Sequence, residues 1–146
     1  MALDHYFRRF GFYGCQIAPA PRQDLSIVVA IPCFNEPDLP GSLDSLWMCD
    51  RPLGSVEVIV VINSPANCSA AVKQQNQRTL EEASTWIEFH RDDRFTVHLL
   101  PLPELPPKQA GVGLARKIGM DEAALRFDDI GKLPQGITVG YDADCR

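Results

Sequence analysis

Short apolar runs alternate along the chain with longer segments in which apolar residues recur every three or four positions. Runs such as LSIVVAI and VEVIVVIN are rich in β-branched residues and predict strands that are covered on both faces, as in a parallel sheet. The recurring spacing predicts amphipathic helices. The predicted strands cover 25–31, 56–63, 95–100 and 137–144, and the predicted helices cover 38–49, 69–90 and 111–127.

This alternation of strands and helices predicts an α/β domain with a mainly parallel sheet flanked by helices. In open sheets of this kind, ligands bind at the carboxyl ends of the strands. The loops that begin at these ends therefore carry the candidate chemistry. They start at Pro32, Asn63, Pro101 and Asp142.

Two proline-rich segments interrupt this pattern. Residues 1–24 read as an aromatic arm that ends in the linker APAPRQD, so the predicted domain covers 25–146. The segment PLPELPPK, residues 101–108, predicts an extended surface segment and neither a helix nor a central strand.

Charge and composition narrow the class of protein. The net charge of −5 argues against a nucleic-acid partner bound through a broad basic surface. No apolar run reaches the roughly 18 residues of a transmembrane segment, and the N-terminus lacks the apolar stretch of a signal peptide, so we expect a cytoplasmic protein. The five cysteines show no C-x-x-C spacing, which argues against a disulfide framework or a zinc site.

The loop after the first predicted strand offers the first candidate binding residues. The ring of Phe34 could stack on a base, and the side chains of Asn35 and Glu36 could hydrogen-bond a base or ribose. Alternatively, Asn35 and Glu36 cap the helix that follows. Cys33, beside this loop, is either a reactive thiol or a small buried hydrophobe, and the lack of basic sequence neighbours favours the second reading.

A glycine-containing segment opens the third predicted helix. Gly111 and Gly113 would let the backbone approach a ligand, and Lys108 and Arg116 would place cations beside a diphosphate at the helix N-terminus. The pattern G-x-G-x-x-R lacks the third glycine of the dinucleotide fingerprint. The alternative is a loop with a solvated arginine.

The last predicted strand runs into two aspartates separated by one residue. Side chains alternate across a strand, so Asp142 and Asp144 are expected on one side of an extended segment. Two carboxylates this close are either solvated or neutralised by a hard divalent cation, with Mg²⁺ or Mn²⁺ expected for all-oxygen ligands.

Taken in order, IVVAIPCFNE, VEVIVVIN, GVGLARKIGMDEA and GYDAD resemble the donor-binding half of a family 2 glycosyltransferase with the GT-A fold, over Leu25 to Asp144. The resemblance implies a Rossmann-like domain that binds a nucleoside diphosphate sugar, whose sugar the intact enzyme transfers to the hydroxyl of an unknown acceptor. It also implies a divalent metal, Mg²⁺ or Mn²⁺, on Asp142 and Asp144. The implied nucleotide-sugar ligands are Pro32, Phe34, Asn35, Glu36, Asn63, Lys108, Gly111, Gly113, Arg116 and Asp142.

The sequence departs from this family in two places. Asn63, Ser64 and Pro65 follow the second strand where many relatives carry aspartates that read the base, so the base is left open. The half of the fold after D-x-D, which supplies a general base and the acceptor pocket, is missing, so we expect a truncated domain that is inactive alone. The acidic residues of the third helix are expected to form a solvated face instead: Asp121, Glu122, Asp128 and Asp129.

Other readings stay open. A non-catalytic nucleotide-binding or interaction module could use the same scaffold without needing metal. The aromatic arm could dock on a membrane surface or a partner, or pack on its own domain. An exposed edge at the fourth strand predicts a homo-oligomer. The three histidines, His5, His90 and His98, show no metal-ligand or triad spacing and are expected to be structural or exposed.

Overall fold

Four strands and three helices alternate along the part of the chain that the structure, a computed structural model, describes: residues 17, 19–105, 112–132 and 135–143. The predicted order of elements is confirmed. The strands are β1 (Leu25–Cys33), β2 (Ser55–Pro65), β3 (Phe95–Leu105) and β4 (Ile137–Gly140), and the helices are α1 (Leu39–Trp47), α2 (Ala70–Phe89) and α3 (Val112–Asp129).

The four described strands form one parallel sheet in the order β3-β2-β1-β4. Within it, Ala30 of β1 pairs with Ile59 of β2 on one side and with Gly140 of β4 on the other. The chain steps from β1 to β2 and β3 in one direction, and β4 returns to the opposite side of β1. The predicted α/β architecture is therefore confirmed, and it is compatible with a Rossmann-like fold.

Helices cover both faces of the sheet. On one face, α1 and α2 bury residues such as Leu43 and Trp86 against the side chains of β1 and β2. On the other face, α3 buries Ile118 and Phe127. A Cβ atom at Gly119 would lie only 2.9 Å from the Cβ atom of Ala30, so the glycine lets α3 approach β1 closely. Burial on both faces explains why β1 and β2 are nearly continuous apolar runs.

All four strands end at positions that differ from the predictions, and β2 extends two residues beyond its predicted end, to Pro65. β1 continues through Pro32. The pairing of β4 with β1 ends at Ala30, so the missing N–H of Pro32 costs no hydrogen bond to β4. β3 continues to Leu105 through the predicted surface segment, because an edge strand tolerates proline. β4 ends at Gly140, so Asp142 lies in irregular backbone beyond the strand and not within it.

β4 is the least covered strand of the described sheet. Ile137 and Val139 are 56% and 39% exposed. The association that the exposed edge suggested stays a prediction. The aromatic arm lies largely outside the described residues, and no helix within the described ranges is long and apolar enough to cross a membrane.

The acidic face expected on α3 is only partly correct. Asp121 and Glu122 are buried, at 7% and 2% exposure, and Asp121 accepts a hydrogen bond from the Lys117 ammonium across 2.8 Å. Asp129 is exposed, as expected. The prediction was wrong for the first two residues because one turn of α3 directs acidic side chains inward.

The two described histidines are structural, as expected. The ring of His90 stacks on that of Trp86 with 3.9 Å between ring centroids, and its Nδ1 lies 2.7 Å from the Trp86 carbonyl. The Nε2 atom of His98 lies 3.4 Å from a carboxylate oxygen of Glu57. His5 lies outside the described residues.

Candidate functional site

A cleft of about 340 Å³ opens at the carboxyl edge of the sheet, where β4 lies beside β1. This is where the direction of strand addition reverses, the position at which open α/β sheets bind ligands. Five residues that the sequence singled out line it: Pro32, Phe34, Glu36, Asn63 and Asp142. The remaining lining residues are Cys33 and Ala143.

The loop after β1 is shaped by an unusual backbone conformation at Asn35, whose φ is +51°. Asparagine tolerates this left-handed region better than most residues. The α1 helix is capped by Asp38, whose side chain accepts a hydrogen bond from the Gly41 N–H across 3.1 Å. Asp38 is therefore the N-cap, and the Glu36 carboxylate accepts a hydrogen bond from the Asp38 N–H at 3.1 Å, so Glu36 takes part in the helix start, as the capping alternative expected.

Three polar residues of α2 hold this loop in place. The Oδ1 atom of Asn76 accepts a hydrogen bond from the Asn35 N–H at 2.9 Å. The carbonyl of Glu36 accepts two more, from Thr79 Oγ1 at 2.8 Å and from Gln75 Nε2 at 3.1 Å. Both backbone groups, which are partly buried, thereby have hydrogen-bond partners. The result is a loop whose position is set by a helix 40 or so residues further along the chain.

Sequence reasoning did not single out Asn76, although a signal existed. The predicted apolar stripe of α2 runs through Val72 and Leu80, and Asn76 lies midway between them, four residues from each. An amide on a buried stripe needs hydrogen-bond partners. That requirement marks Asn76 as a residue that organises polar groups near the sheet edge.

Asn63 and Phe34 present contrasting surfaces to the cleft. Asn63 is only 1% exposed, and its carbonyl accepts a hydrogen bond from Asn76 Nδ2 at 3.2 Å. Phe34 is 49% exposed, although a phenylalanine ring is normally buried. The cleft therefore combines a fixed polar wall with an accessible aromatic face.

Arg116 and Asp142 form an ion pair beside the cleft, with 2.7 Å between Nη2 and Oδ1. Their side chains are 47% and 55% exposed, so both groups are accessible to a ligand. Gly113 is also exposed, and a Cβ atom there would meet nothing within 4 Å. Lys108, Gly111 and Asp144 lie outside the described residues.

The segment after β4 is held by a hydrogen bond from α1. The Ser42 hydroxyl, in α1, donates a hydrogen bond to the carbonyl of Ala143. Both residues are buried. This contact ties the segment that carries Asp142 to the helix that follows the β1 loop, so the two sides of the cleft are joined.

The thiol of Cys33 is inert. Burial, with a further contribution from the charge of Glu36, raises the pKa of Cys33 to about 12. A thiol with so high a pKa supplies almost no thiolate near neutral pH. The reading of Cys33 as a small buried hydrophobe is therefore supported, and a nucleophilic role is not.

Oxygen ligands for a cation are present but few within the described ranges. Asp142 and Glu36 are the carboxylates that line the cleft. Among the residues that the structure describes, no group of three His, Cys, Asp or Glu side chains is placed to hold a metal ion. The second aspartate of the predicted metal pair is not in that set.

Comparison of the chain with protein-family models, with curated proteins and with solved structures finds no significant match in any of the three. Its function is therefore inferred from the chemistry of the cleft.

Proposed function

We propose that the chain binds a nucleoside diphosphate sugar in the cleft between β1 and β4, as the donor-binding region of a family 2-like glycosyltransferase of the GT-A fold. One observation carries the proposal: Phe34, Glu36, Asn63 and Asp142 come from three strand ends and meet in a single cleft. Their types suit the parts of such a ligand, an aromatic face for a base and polar groups for ribose and phosphate.

Each part of the ligand has a matching group. The exposed ring of Phe34 is the surface on which the base stacks. Glu36 and Asn63 supply polar groups for the base edge or the ribose. Arg116, close to the start of α3, is the cation for the diphosphate. In the free protein its charge is balanced by Asp142, so a diphosphate would replace Asp142 as the partner of Arg116.

The proposed donor complex includes a divalent cation. Asp142, with Glu36 in the same cleft and Asp144 two residues further along the chain, would hold Mg²⁺ or Mn²⁺, which prefer carboxylate oxygens. When bound, such an ion stabilises the negative charge that develops on a departing nucleoside diphosphate. The described residues of the cleft bind and orient the donor, and none of them is assigned the role of a general base.

Calorimetric titration of UDP and GDP into the full chain, with and without Mn²⁺, tests the proposal. We expect one nucleotide to bind in a metal-dependent manner and Asp142→Asn to weaken that binding by about tenfold or more. Asp129→Asn is the matched control, because it removes an exposed carboxylate at the end of α3. The proposal is contradicted if neither UDP nor GDP binds, or if Asp142→Asn binds the nucleotide as tightly as the parent does.

A second candidate is a nucleotide-binding module without glycosyl transfer. The ion pair of Arg116 with Asp142 favours it, because it already neutralises the carboxylate that a metal would need. This module would bind UDP or GDP equally well with and without Mn²⁺. The same titration therefore separates the two candidates.

A further inference from the structure

A second cleft, of about 200 Å³, lies between α2 and the carboxyl-terminal parts of β2 and β3. Its apolar lining consists of Ile62, Leu80 and Pro101. A dry apolar cavity of about 150 Å³ holds benzene. The second cleft therefore has room for one six-membered ring with a small substituent.

The polar lining of this second cleft is cationic. Lys73, in the first turn of α2, lines it together with Ser64 and Gln77. None of the described residues that line the cleft is acidic, and the ammonium of Lys73 forms no ion pair with the described residues. The positive end of the helix dipole adds to the charge of Lys73. The apolar lining suits an apolar ligand body, and the neighbouring Lys73 ammonium suits a single negative charge on that ligand.

The two clefts are separated by Asn76. This residue lines the second cleft, and both ends of its carboxamide are engaged by Asn35 and Asn63 on the side of the first. Lys73 and Leu80 line only the second cleft, whereas Phe34 and Asp142 line only the first. A ligand in the second cleft therefore needs neither the proposed metal nor the nucleotide.

We propose that the second cleft is a binding site for a small cyclic monocarboxylate. The ring packs on Ile62, Leu80 and Pro101, and the carboxylate pairs with the Lys73 ammonium and accepts a hydrogen bond from the Ser64 hydroxyl. The site is distinct from the proposed nucleotide site, and its test contains neither nucleotide nor metal.

Titration of benzoate into the ¹⁵N-labelled full chain, followed by amide chemical shifts, tests this site. We expect saturable shifts at Ser64, Lys73 and Gln77 with a Kd of about 1 mM, as suits a ligand of so few atoms. Benzamide has the same shape without the charge. We expect it to bind about tenfold more weakly than benzoate.

Two variants complete the test. Lys73→Met removes the ammonium and keeps an unbranched apolar side chain, and it should lower the affinity for benzoate about tenfold. Arg78→Met removes a cation from the same helix that does not line the cleft, and it should leave the affinity unchanged within about twofold. Absence of saturable shifts, shifts confined to the first cleft, equal binding of benzamide, or equal binding by Lys73→Met would each overturn the proposal.

Discussion

The backbone N–H of Asn35 donates a hydrogen bond to Oδ1 of Asn76 across 2.9 Å, although 41 positions separate the two residues in the chain. The other end of the same carboxamide donates to the carbonyl of Asn63. One buried side chain thus joins the loop after β1 to the end of β2 and fixes the left-handed backbone of Asn35.

Replacement of Asn76 by alanine should lower the free energy of unfolding by about 2 kcal/mol, because the buried carbonyl of Asn63 and the partly buried N–H of Asn35 lose their partner. Urea denaturation measures the change. Gln74→Ala, an exposed position on the same helix, is the control and should stay within about 0.5 kcal/mol of the parent. If the two variants were equally stable, the carboxamide would not organise the loop.

Replacement of Arg116 by alanine should affect ligand binding far more than stability. Its partner Asp142 is more than half exposed, so loss of the ion pair should cost less than about 1 kcal/mol of folding free energy. Under the proposed function, affinity for the nucleoside diphosphate should fall about tenfold by calorimetry. Arg91→Ala, which removes an exposed arginine near the amino-terminal end of β3, should change neither quantity appreciably.

The buried pair of Glu57 and Arg126 should be the most sensitive ionic contact in the described core. Arg126 Nη2 donates to Glu57 Oε2 at 3.0 Å, and both residues are 4% exposed. Glu57→Gln leaves the guanidinium without a counter-charge, and unfolding free energy should fall by about 3 kcal/mol. Asp92→Asn removes a partly exposed partner of Arg51 and should cost less than about 1 kcal/mol. Similar losses for both variants would contradict this ranking.

Stability should also decline in acid because of Glu57. Burial alone would raise the pKa of this carboxyl, but the neighbouring His98 and Arg126 together lower it below its usual value. A carboxyl whose pKa is lower in the folded than in the unfolded chain stabilises the fold fully above about pH 4.3, and the contribution is lost as the pH falls through the folded value. Urea denaturation between pH 7 and pH 3 measures the slope.

The Glu57→Gln variant is the comparison for this pH series, and its loss of stability below about pH 4.3 should be shallower than that of the parent. Some acid sensitivity should remain in the variant, because the pKa values of Asp24 and Asp92 are also lowered by hydrogen bonds. An unchanged slope would show that Glu57 does not contribute.

The cysteines should differ sharply in reactivity. Cys33 is buried with a pKa of about 12, whereas Cys49 is exposed. Brief treatment with iodoacetamide at pH 8, followed by mass spectrometry of peptides, should show Cys49 modified and Cys33 unmodified. In urea both should react. Early modification of the native chain at Cys33 would contradict its burial.

The fold could be predicted from the sequence because strands that are buried on both faces need nearly continuous apolar runs. The runs of β1 and β2 are mostly apolar, and the helix between them shows a clear apolar stripe. Much of the cleft could also be predicted, since strands expected to end near Pro32 and Asn63 place these residues and their neighbours at a known edge of the sheet.

Contacts between distant residues were not readable in the same way. Glu57 lies in an apolar run, and nothing near it in the sequence points to Arg126, which is 69 positions away. Likewise, the hydrogen bonds of Asn76 depend on how α2 packs over the sheet. Local pattern predicts which element a residue occupies, whereas the pairing of buried polar groups is decided by the tertiary structure.

The order β3-β2-β1-β4 also bears on how the chain is made. α1 and α2 are synthesised before β3 and can cover one face of the first three strands as they form. Within the described residues, the other face, with Val28, Ile59 and Val61, is covered mainly by α3, which is made after the first three strands. A nascent chain that carries the first three strands but not α3 thus exposes apolar residues of this face. Slow translation between β3 and α3 would favour aggregation or capture by a chaperone.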